Sequence, residues 1–214
     1  MSGLFDLDAP IWVWMGEVAD IIILSILWWI CSCGIITIGA STTAVFYVLG
    51  KKVRKESTYV VADFFKSLKQ NLKQSIPLSI GYIIAGFSCV LYGVLIFDGF
   101  MNKEHSSMLK FIIPLAIFIG FEFLNYGTYL WSILSRFDMK TKRLCQTCFI
   151  MTHKHLLTTL LNTVLYALAL ALVLRFPFFI VVAPGVLILG QSFLMQSLFS
   201  RYITSAEESK SLEV

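Results

Sequence analysis

The sequence carries few charged residues for its length, and none of its lysines or arginines precedes position 51. Charged residues make up 14% of the 214 positions, whereas hydrophobic residues make up 57%. A soluble domain of this length carries about 25% charged residues. Because a water-surrounded core cannot absorb so much apolar surface, the composition predicts that lipid surrounds much of the chain.

Motifs for catalysis and nucleotide binding are missing as well. The sequence contains no Walker A sequence, no G-x-G-x-x-G, no H-E-x-x-H and no G-x-S-x-G. Cys145 and Cys148 form one C-x-x-C pair without a second pair, and His153 and His155 do not share a helix face, so neither pair indicates a zinc site. The sequence therefore predicts a non-enzymatic protein without metal or cofactor, and its net charge of +4 does not indicate nucleic-acid binding.

Five long apolar stretches are present instead, and about 20 apolar residues suffice for a membrane-spanning helix. They are residues 21–50, 74–97, 111–135, 156–174 and 176–200. The pattern predicts an all-α class: a polytopic membrane bundle of about five spans, with a broken first helix. Residues 1–204 are expected to form this membrane domain, and residues 205–214 a disordered cytoplasmic tail.

The first apolar stretch is too long for one span and contains Gly34 and Gly39 near its middle. We expect a span near Ile21–Ile36, a break, and a short helix from about Ser41 to Gly50. Ser41 or the following threonine is expected to cap the short helix. A re-entrant pair of half-helices is the alternative, and it would move the N-terminus to the other side of the membrane.

Positive charge alternates along the predicted loops. Residues 51–73 contain seven lysines and arginines and residues 136–155 contain five, whereas each other loop or terminal segment contains two or fewer. By the positive-inside rule, the two basic loops and the tail are expected in the cytoplasm. The N-terminal segment, with Asp6, Asp8, Glu17 and Asp20, is then expected outside.

Glu122 lies near the centre of the third apolar stretch, where an ionisable side chain costs about 2.5 kcal/mol or more. Polar and aromatic residues follow at i+3, i+4 and i+7, so one helix face carries all four. These residues are Asn125, Tyr126 and Tyr129. Two interpretations remain open: a substrate, proton or ion site, or a structural hydrogen-bond cluster with Asn162 or Gln191.

Two surfaces predict contacts with partners. Small residues recur every four positions in the second apolar stretch and would let another helix approach closely, either within this chain or in another subunit. They are Gly81, Ala85, Cys89 and Gly93. The segment before them predicts a basic amphipathic helix that rests on anionic lipid or docks a partner. Its expected contact residues are Phe64, Phe65, Lys66, Leu68 and Lys69.

Residues 34–48, GIITIGASTTAVFYV, follow Leu27-Trp28-Trp29 and resemble the signature of the YesL-like family of small bacterial integral membrane proteins. The blocks Asp63–Lys66 and Asn71–Gln74 resemble the block that comes next in that family. Family genes often accompany carbohydrate ABC permeases, sugar-binding lipoproteins and glycoside hydrolases. The resemblance therefore implies an accessory role in oligosaccharide uptake or its regulation, and it supplies no catalytic residues.

Three functional hypotheses follow. The first is an accessory protein of a carbohydrate ABC transporter in the bacterial cell membrane, bound to permease subunits through the small residues and the amphipathic helix. The second is an independent carrier or channel for a small solute, built around Glu122. The third is a membrane sensor that signals through the basic loops. Self-association remains open in all three.

Overall fold

A computed structural model gives the backbone of residues 10–101 and 109–212, and the side chains of residue 12 and of residues 14–99 and 112–203. Helices fill these ranges apart from short connections, which confirms the all-α class. Asp6 and Asp8 lie outside the described residues. The α-helices are α1 (Pro10–Ser32), α2 (Ile38–Val53), α3 (Val60–Met101), α4 (Leu109–Arg136), α5 (Thr141–Lys154), α6 (Leu156–Arg175) and α7 (Ala183–Leu212). Two short 3₁₀ helices lie at Ile35–Thr37 and Pro177–Val181.

Four helices of the described chain are long and apolar enough to cross a membrane: α1, α3, α4 and α6. The expected fifth span, residues 176–200, is not among them. That stretch divides between the 3₁₀ helix Pro177–Val181 and the first part of α7. Gln191 and Ser192 are polar and interrupt the apolar character of α7, and both are buried. The helix also continues to Leu212, into the segment predicted to be a disordered tail.

The first apolar stretch forms two antiparallel helices, α1 and α2. Near the turn, Trp28 Nε1 donates to Thr42 Oγ1 at 3.0 Å. At the other end, Lys52 Nζ lies 2.9 Å from Glu17 Oε2 and also pairs with Asp20. The acidic part of α1 therefore lies beside the start of the first basic loop, and its expected placement on the opposite side is wrong. The chain turns back within this stretch, as in the alternative interpretation, although α1 is long enough to cross a membrane and is not a half-helix.

The break in this stretch comes earlier than expected, after Ser32, and Gly34 lies within it. Thr37 is the N-cap residue of α2 and makes no side-chain cap hydrogen bond. Ser41 and Thr42 lie inside the helix, where their hydroxyls donate to carbonyls four residues earlier. Neither is a cap, because the helix starts before them.

Helix α2 is the most enclosed helix of the bundle and packs against α1, α3, α4 and α7. Its buried residues are Gly39, Ala40, Ser41, Thr43, Ala44, Val45, Phe46, Val48 and Leu49. Gly39 is required by close packing: a Cβ there would lie 2.2 Å from Ser79 Oγ and 2.3 Å from the Trp131 ring. The segment that resembles a family signature thus includes most of the helix against which α1, α3, α4 and α7 pack.

One end of the bundle is rich in basic residues and is called the basic end below. It carries Lys51, Lys52, Arg54 and Arg136, which lie where α2 and α4 finish. Helix α3 has 42 residues and is about 63 Å long, roughly twice the hydrocarbon thickness of a bilayer. Its first turns therefore extend beyond the membrane at the basic end.

Candidate functional site

The predicted face of α4 divides between two environments. Asn125 and Tyr129 are fully buried, whereas Glu122 and Tyr126 are partly exposed and line a cleft between α3, α4 and α5. Each residue of an α-helix advances by about 100°, so the positions i, i+3, i+4 and i+7 lie on one face that is about 100° wide. A face this wide meets different neighbours at its two edges.

Asn125 is the centre of a hydrogen-bond network between α4 and α6. Its Nδ2 donates to Phe121 O at 2.8 Å and to Thr163 Oγ1 at 2.9 Å. Its Oδ1 accepts from Asn162 Nδ2 at 2.9 Å. Asn162 Nδ2 also donates to Thr128 Oγ1 at 3.0 Å. For Asn125, the structure agrees with the structural interpretation, and Asn162 is one of the two partners named from the sequence.

The network extends to α7 through Thr128. Gln191 Nε2 donates to Thr128 Oγ1 at 3.4 Å, and the Tyr166 hydroxyl lies 2.9 Å from the same oxygen. Tyr129 makes a separate contact, with its hydroxyl 3.3 Å from Thr159 Oγ1. Polar groups in a membrane interior need partners of this kind, so these bonds fix how α4, α6 and α7 pack.

Glu122 does not join this network. Its Oε1 lies 3.7 Å from His153 Nε2 of α5, a distance suited to an ion pair when the imidazole is protonated but long for a hydrogen bond. The cleft that both residues line has a volume of about 620 Å³. No signal in the sequence pairs His153 with Glu122, because their contact depends on α5 packing against α4.

The Glu122 cleft offers two titratable side chains and an otherwise mainly apolar wall. Ala85, Cys89 and Phe149 contribute to that wall. Within the described ranges, no group of three His, Cys, Asp or Glu residues is placed to hold a metal ion. An acid next to an imidazole can exchange a proton or bind a cation, which keeps a transport role for this cleft chemically reasonable.

The small-residue stripe on α3 points mostly away from the chain. A Cβ on Gly81 or Gly93 would meet no atom within 4 Å, and Ala85 is exposed. Packing against another helix of the described chain is therefore wrong for Gly81 and Gly93. Ala85 and Cys89 both line the Glu122 cleft, and Cys89 is half-buried there.

Other glycines make the close contact between α3 and α4. A Cβ on Gly86 would lie 2.9 Å from the Phe123 ring, and one on Gly127 would lie 2.2 Å from the Tyr82 hydroxyl oxygen. Tyr82 and Phe123 stack with ring centroids 4.1 Å apart. Sequence reasoning missed these two glycines because neither belongs to a regular small-residue pattern.

The expected docking helix forms the start of α3, and part of its apolar face packs on its own bundle. Phe64 is buried and Leu68 is partly buried against the core, so Phe64 is not available to a partner. Phe65, Lys66 and Lys69 remain exposed. They are the members of the predicted set that can contact lipid or another protein.

Asp63 fastens this segment to α2. Its carboxylate accepts a hydrogen bond from Lys51 Nζ at 2.8 Å and another from the Tyr59 backbone N–H at 3.1 Å. The bonds join the end of α2 to the first turn of α3. The structure thus gives a local reason for the acidic residue in the Asp63–Lys66 block.

A second cavity, not expected from the sequence, lies among α1, α2, α3, α4, α6 and α7. It has a volume of about 440 Å³. Its aromatic lining includes Trp28, Tyr82, Trp131 and Tyr166, and Gln191 adds a polar group. Cavities of this size with apolar walls and few polar groups suit small organic ligands.

Residues 21–93 match a family model described as a protein of unknown function, DUF624. No curated protein and no solved structure matches the chain. The matched segment takes in the second half of α1, all of α2 and the larger part of α3, and it ends before Glu122. Over much of the hairpin and of α3, the chain is therefore similar to a family of proteins of unknown function.

Proposed function

We propose that this protein is a non-enzymatic accessory protein of the bacterial cytoplasmic membrane that associates with permease subunits of a carbohydrate ABC transporter. The resemblance of residues 34–48 to the YesL-like signature supports the choice of partner. Four helices long and apolar enough to cross a membrane support the location. The observation that carries the proposal is the open small-residue face of α3.

That face offers a contact surface which the described chain leaves uncovered. At Gly81 and Gly93 the backbone itself is accessible, because no atom lies within 4 Å of a Cβ built there. Small residues in a membrane helix allow a second helix to approach until backbones and side chains pack closely. The partner helix on this proposal belongs to a permease subunit, and a second copy of this chain is the competing occupant.

The test is affinity purification of the tagged protein from native membranes in a mild detergent, followed by mass spectrometry. Permease subunits should be recovered in stoichiometric amounts with the unchanged protein, and in much smaller amounts with Gly81→Leu or Gly93→Leu. Gly120→Leu is a matched control, since a Cβ at Gly120 of α4 also meets no atom within 4 Å. Unchanged recovery with the α3 variants, or recovery of this chain alone, would contradict the proposal.

The cleft at Glu122 favours a second candidate, an independent carrier for a small solute. The supporting observation is that Glu122 faces His153 across 3.7 Å rather than joining the buried network. In proteoliposomes, Glu122→Gln should then abolish pH- or ion-coupled flux. Asp138→Asn is the control, because Asp138 is an exposed acid in the connection between α4 and α5. Flux that persists in the Glu122 variant would exclude this role.

A further inference from the structure

A small cleft at the basic end brings two arginines together. It has a volume of about 100 Å³ and lies between the ends of α2 and α4 and the side of α7. Arg136 Nη1 donates to Gln196 Oε1 at 2.5 Å, and Arg54 Nη1 lies 3.5 Å from the same oxygen. One neutral oxygen thus accepts a hydrogen bond from both guanidinium groups, although each guanidinium can donate five hydrogen bonds.

The charges of the two arginines are balanced differently. Arg54 donates to the Glu56 carboxylate at 2.5 Å and 3.2 Å. These hydrogen bonds hold the pKa of Glu56 below its usual value, so this acid stays ionised and neutralises Arg54. Arg136 pairs with no carboxylate among the described side chains. The cleft therefore keeps one uncompensated positive charge.

Aromatic rings hold the uncompensated guanidinium in place. The Arg136 Cζ atom lies 5.7 Å from the ring centroids of both Phe137 and Phe199. Such contacts orient a guanidinium plane without using its N–H groups. The remaining donors of Arg136 are thus positioned at the cleft and available to an oxyanion.

A buried hydroxyl is a second, independent indication that the cleft binds a ligand. Ser192 of α7 lines the cleft and is 3% exposed, and its Oγ has no hydrogen-bond partner. An unpaired buried hydroxyl costs free energy, and native structures rarely leave one without a reason. An acceptor bound in the cleft would pair with this hydroxyl and with Arg136 together.

We propose that this cleft binds the oxyanion of a phosphate group that carries one negative charge. Arg136 provides the charge and forked donors, Ser192 provides a buried hydroxyl donor, and Ser132 and Ser135 form part of the wall. Arg136 ends a helix long enough to span the membrane, so the cleft lies at the depth of lipid headgroups. The phosphate belongs either to a phospholipid diester or to free inorganic phosphate, and the site does not depend on the proposed accessory role.

The experiment measures binding of two probes to the full chain in an uncharged detergent. One probe is a short-chain phosphatidylglycerol below its micellar concentration, and the other is radiolabelled inorganic phosphate at pH 6. Arg136→Gln should weaken binding about tenfold or more, since a hydrogen bond to a charged group contributes roughly 1.5–3 kcal/mol. Ser192→Ala should weaken it less, and Arg143→Gln, which removes an exposed arginine outside the cleft, should leave it unchanged.

Each result has a defined meaning. Binding of phosphatidylglycerol but not of inorganic phosphate assigns the cleft to a lipid headgroup, and binding of inorganic phosphate assigns it to a free anion. If Arg136→Gln fails to fold, two milder variants replace it. Arg136→Lys keeps the positive charge, and Ser192→Ala keeps the Arg136 guanidinium. Binding of neither probe, or binding that the cleft variants and Arg143→Gln change equally, would overturn the proposal.

Discussion

Lys52 of α2 forms ion pairs with both Glu17 and Asp20 of α1, the first at 2.9 Å. The Lys52 side chain is 10% exposed, so the ammonium is largely enclosed by its partners and the neighbouring helices. These contacts close the open end of the hairpin formed by α1 and α2. They also place the acidic start of α1 at the basic end of the bundle, beside Lys52.

We predict that Gly16 and Asp138 lie on one side of the membrane and Phe178 on the other. Gly16 is next to the Lys52 ion pairs, whereas Trp29 Nε1 donates to Ile180 O and links the 3₁₀ helix of Phe178 to the hairpin turn. Single cysteines at these positions, in a variant without the native cysteines, would be labelled with a membrane-impermeant maleimide. In intact cells only the Phe178→Cys protein should react, and the other two should react after permeabilisation.

The hairpin would be contradicted if the Gly16→Cys protein were labelled under the same conditions as the Phe178→Cys protein while the Asp138→Cys protein was not. The expected reaction in intact cells follows from a cytoplasmic basic end. The grouping of Gly16 with Asp138 tests the ion pairs whichever compartment holds that end. Gly16 is a suitable reporter because a Cβ there meets no atom within 4 Å.

The sequence predicts those parts of the fold that depend on local patterns. Apolar stretches of sufficient length predict the helices, Gly34 marks a real break, and the apolar periodicity before Gln74 predicts the helical start of α3. The placement expected for Asp20 is wrong because its partner, Lys52, lies 32 positions away on the returning helix α2. Counting charges cannot detect a chain that turns back within one apolar stretch.

The candidate site was predictable to a similar extent. A polar residue inside a span needs a partner in another span, which is why the sequence indicates Asn162 or Gln191 as partners for this face. Asn162 bonds Asn125 directly, and Gln191 reaches the network through Thr128. The contacts of Glu122 with His153 and of Arg136 with Gln196 could not be anticipated. Both depend on how α5 and α7 pack after the chain has left α4, and no periodicity encodes that.

Replacing Asn125 or Asn162 by alanine should destabilise the bundle by about 1–2 kcal/mol each, because each removal breaks hydrogen bonds between α4 and α6. The double variant should lose less than the sum, since the two side chains share a direct bond of 2.9 Å. Reversible unfolding in mixed micelles measures these free energies. Leu160→Ala, at an exposed position of α6, is the control, and strictly additive losses at the two asparagines would contradict the network.

Gly39→Ala should destabilise the protein by about 1–3 kcal/mol, because overpacking an enclosed core forces neighbours to move. The new Cβ would lie 2.2 Å from Ser79 Oγ and 2.3 Å from the Trp131 ring, which is itself buried. Gly120→Ala is the matched control, with no atom within 4 Å of its Cβ. Thermal unfolding followed by tryptophan fluorescence compares the two, and equal midpoints would show that α2 tolerates more volume than the packing implies.

His155 should make the folded protein less stable as the pH falls. It lies between α5 and α6, where its Nε2 is 2.5 Å from the Tyr202 hydroxyl oxygen. Burial, followed by the charges of Lys154 and Arg201, lowers the pKa of His155 from its ordinary value of 6.5. The unfolded chain therefore binds a proton more readily than the folded one, so stability declines as the pH drops below about 6.5 and through the lower folded pKa. Free energies of unfolding measured from pH 7.5 to pH 5 should decline less steeply for His155→Gln, which cannot take up this proton. Equal slopes in the two proteins would assign the acid sensitivity to other groups.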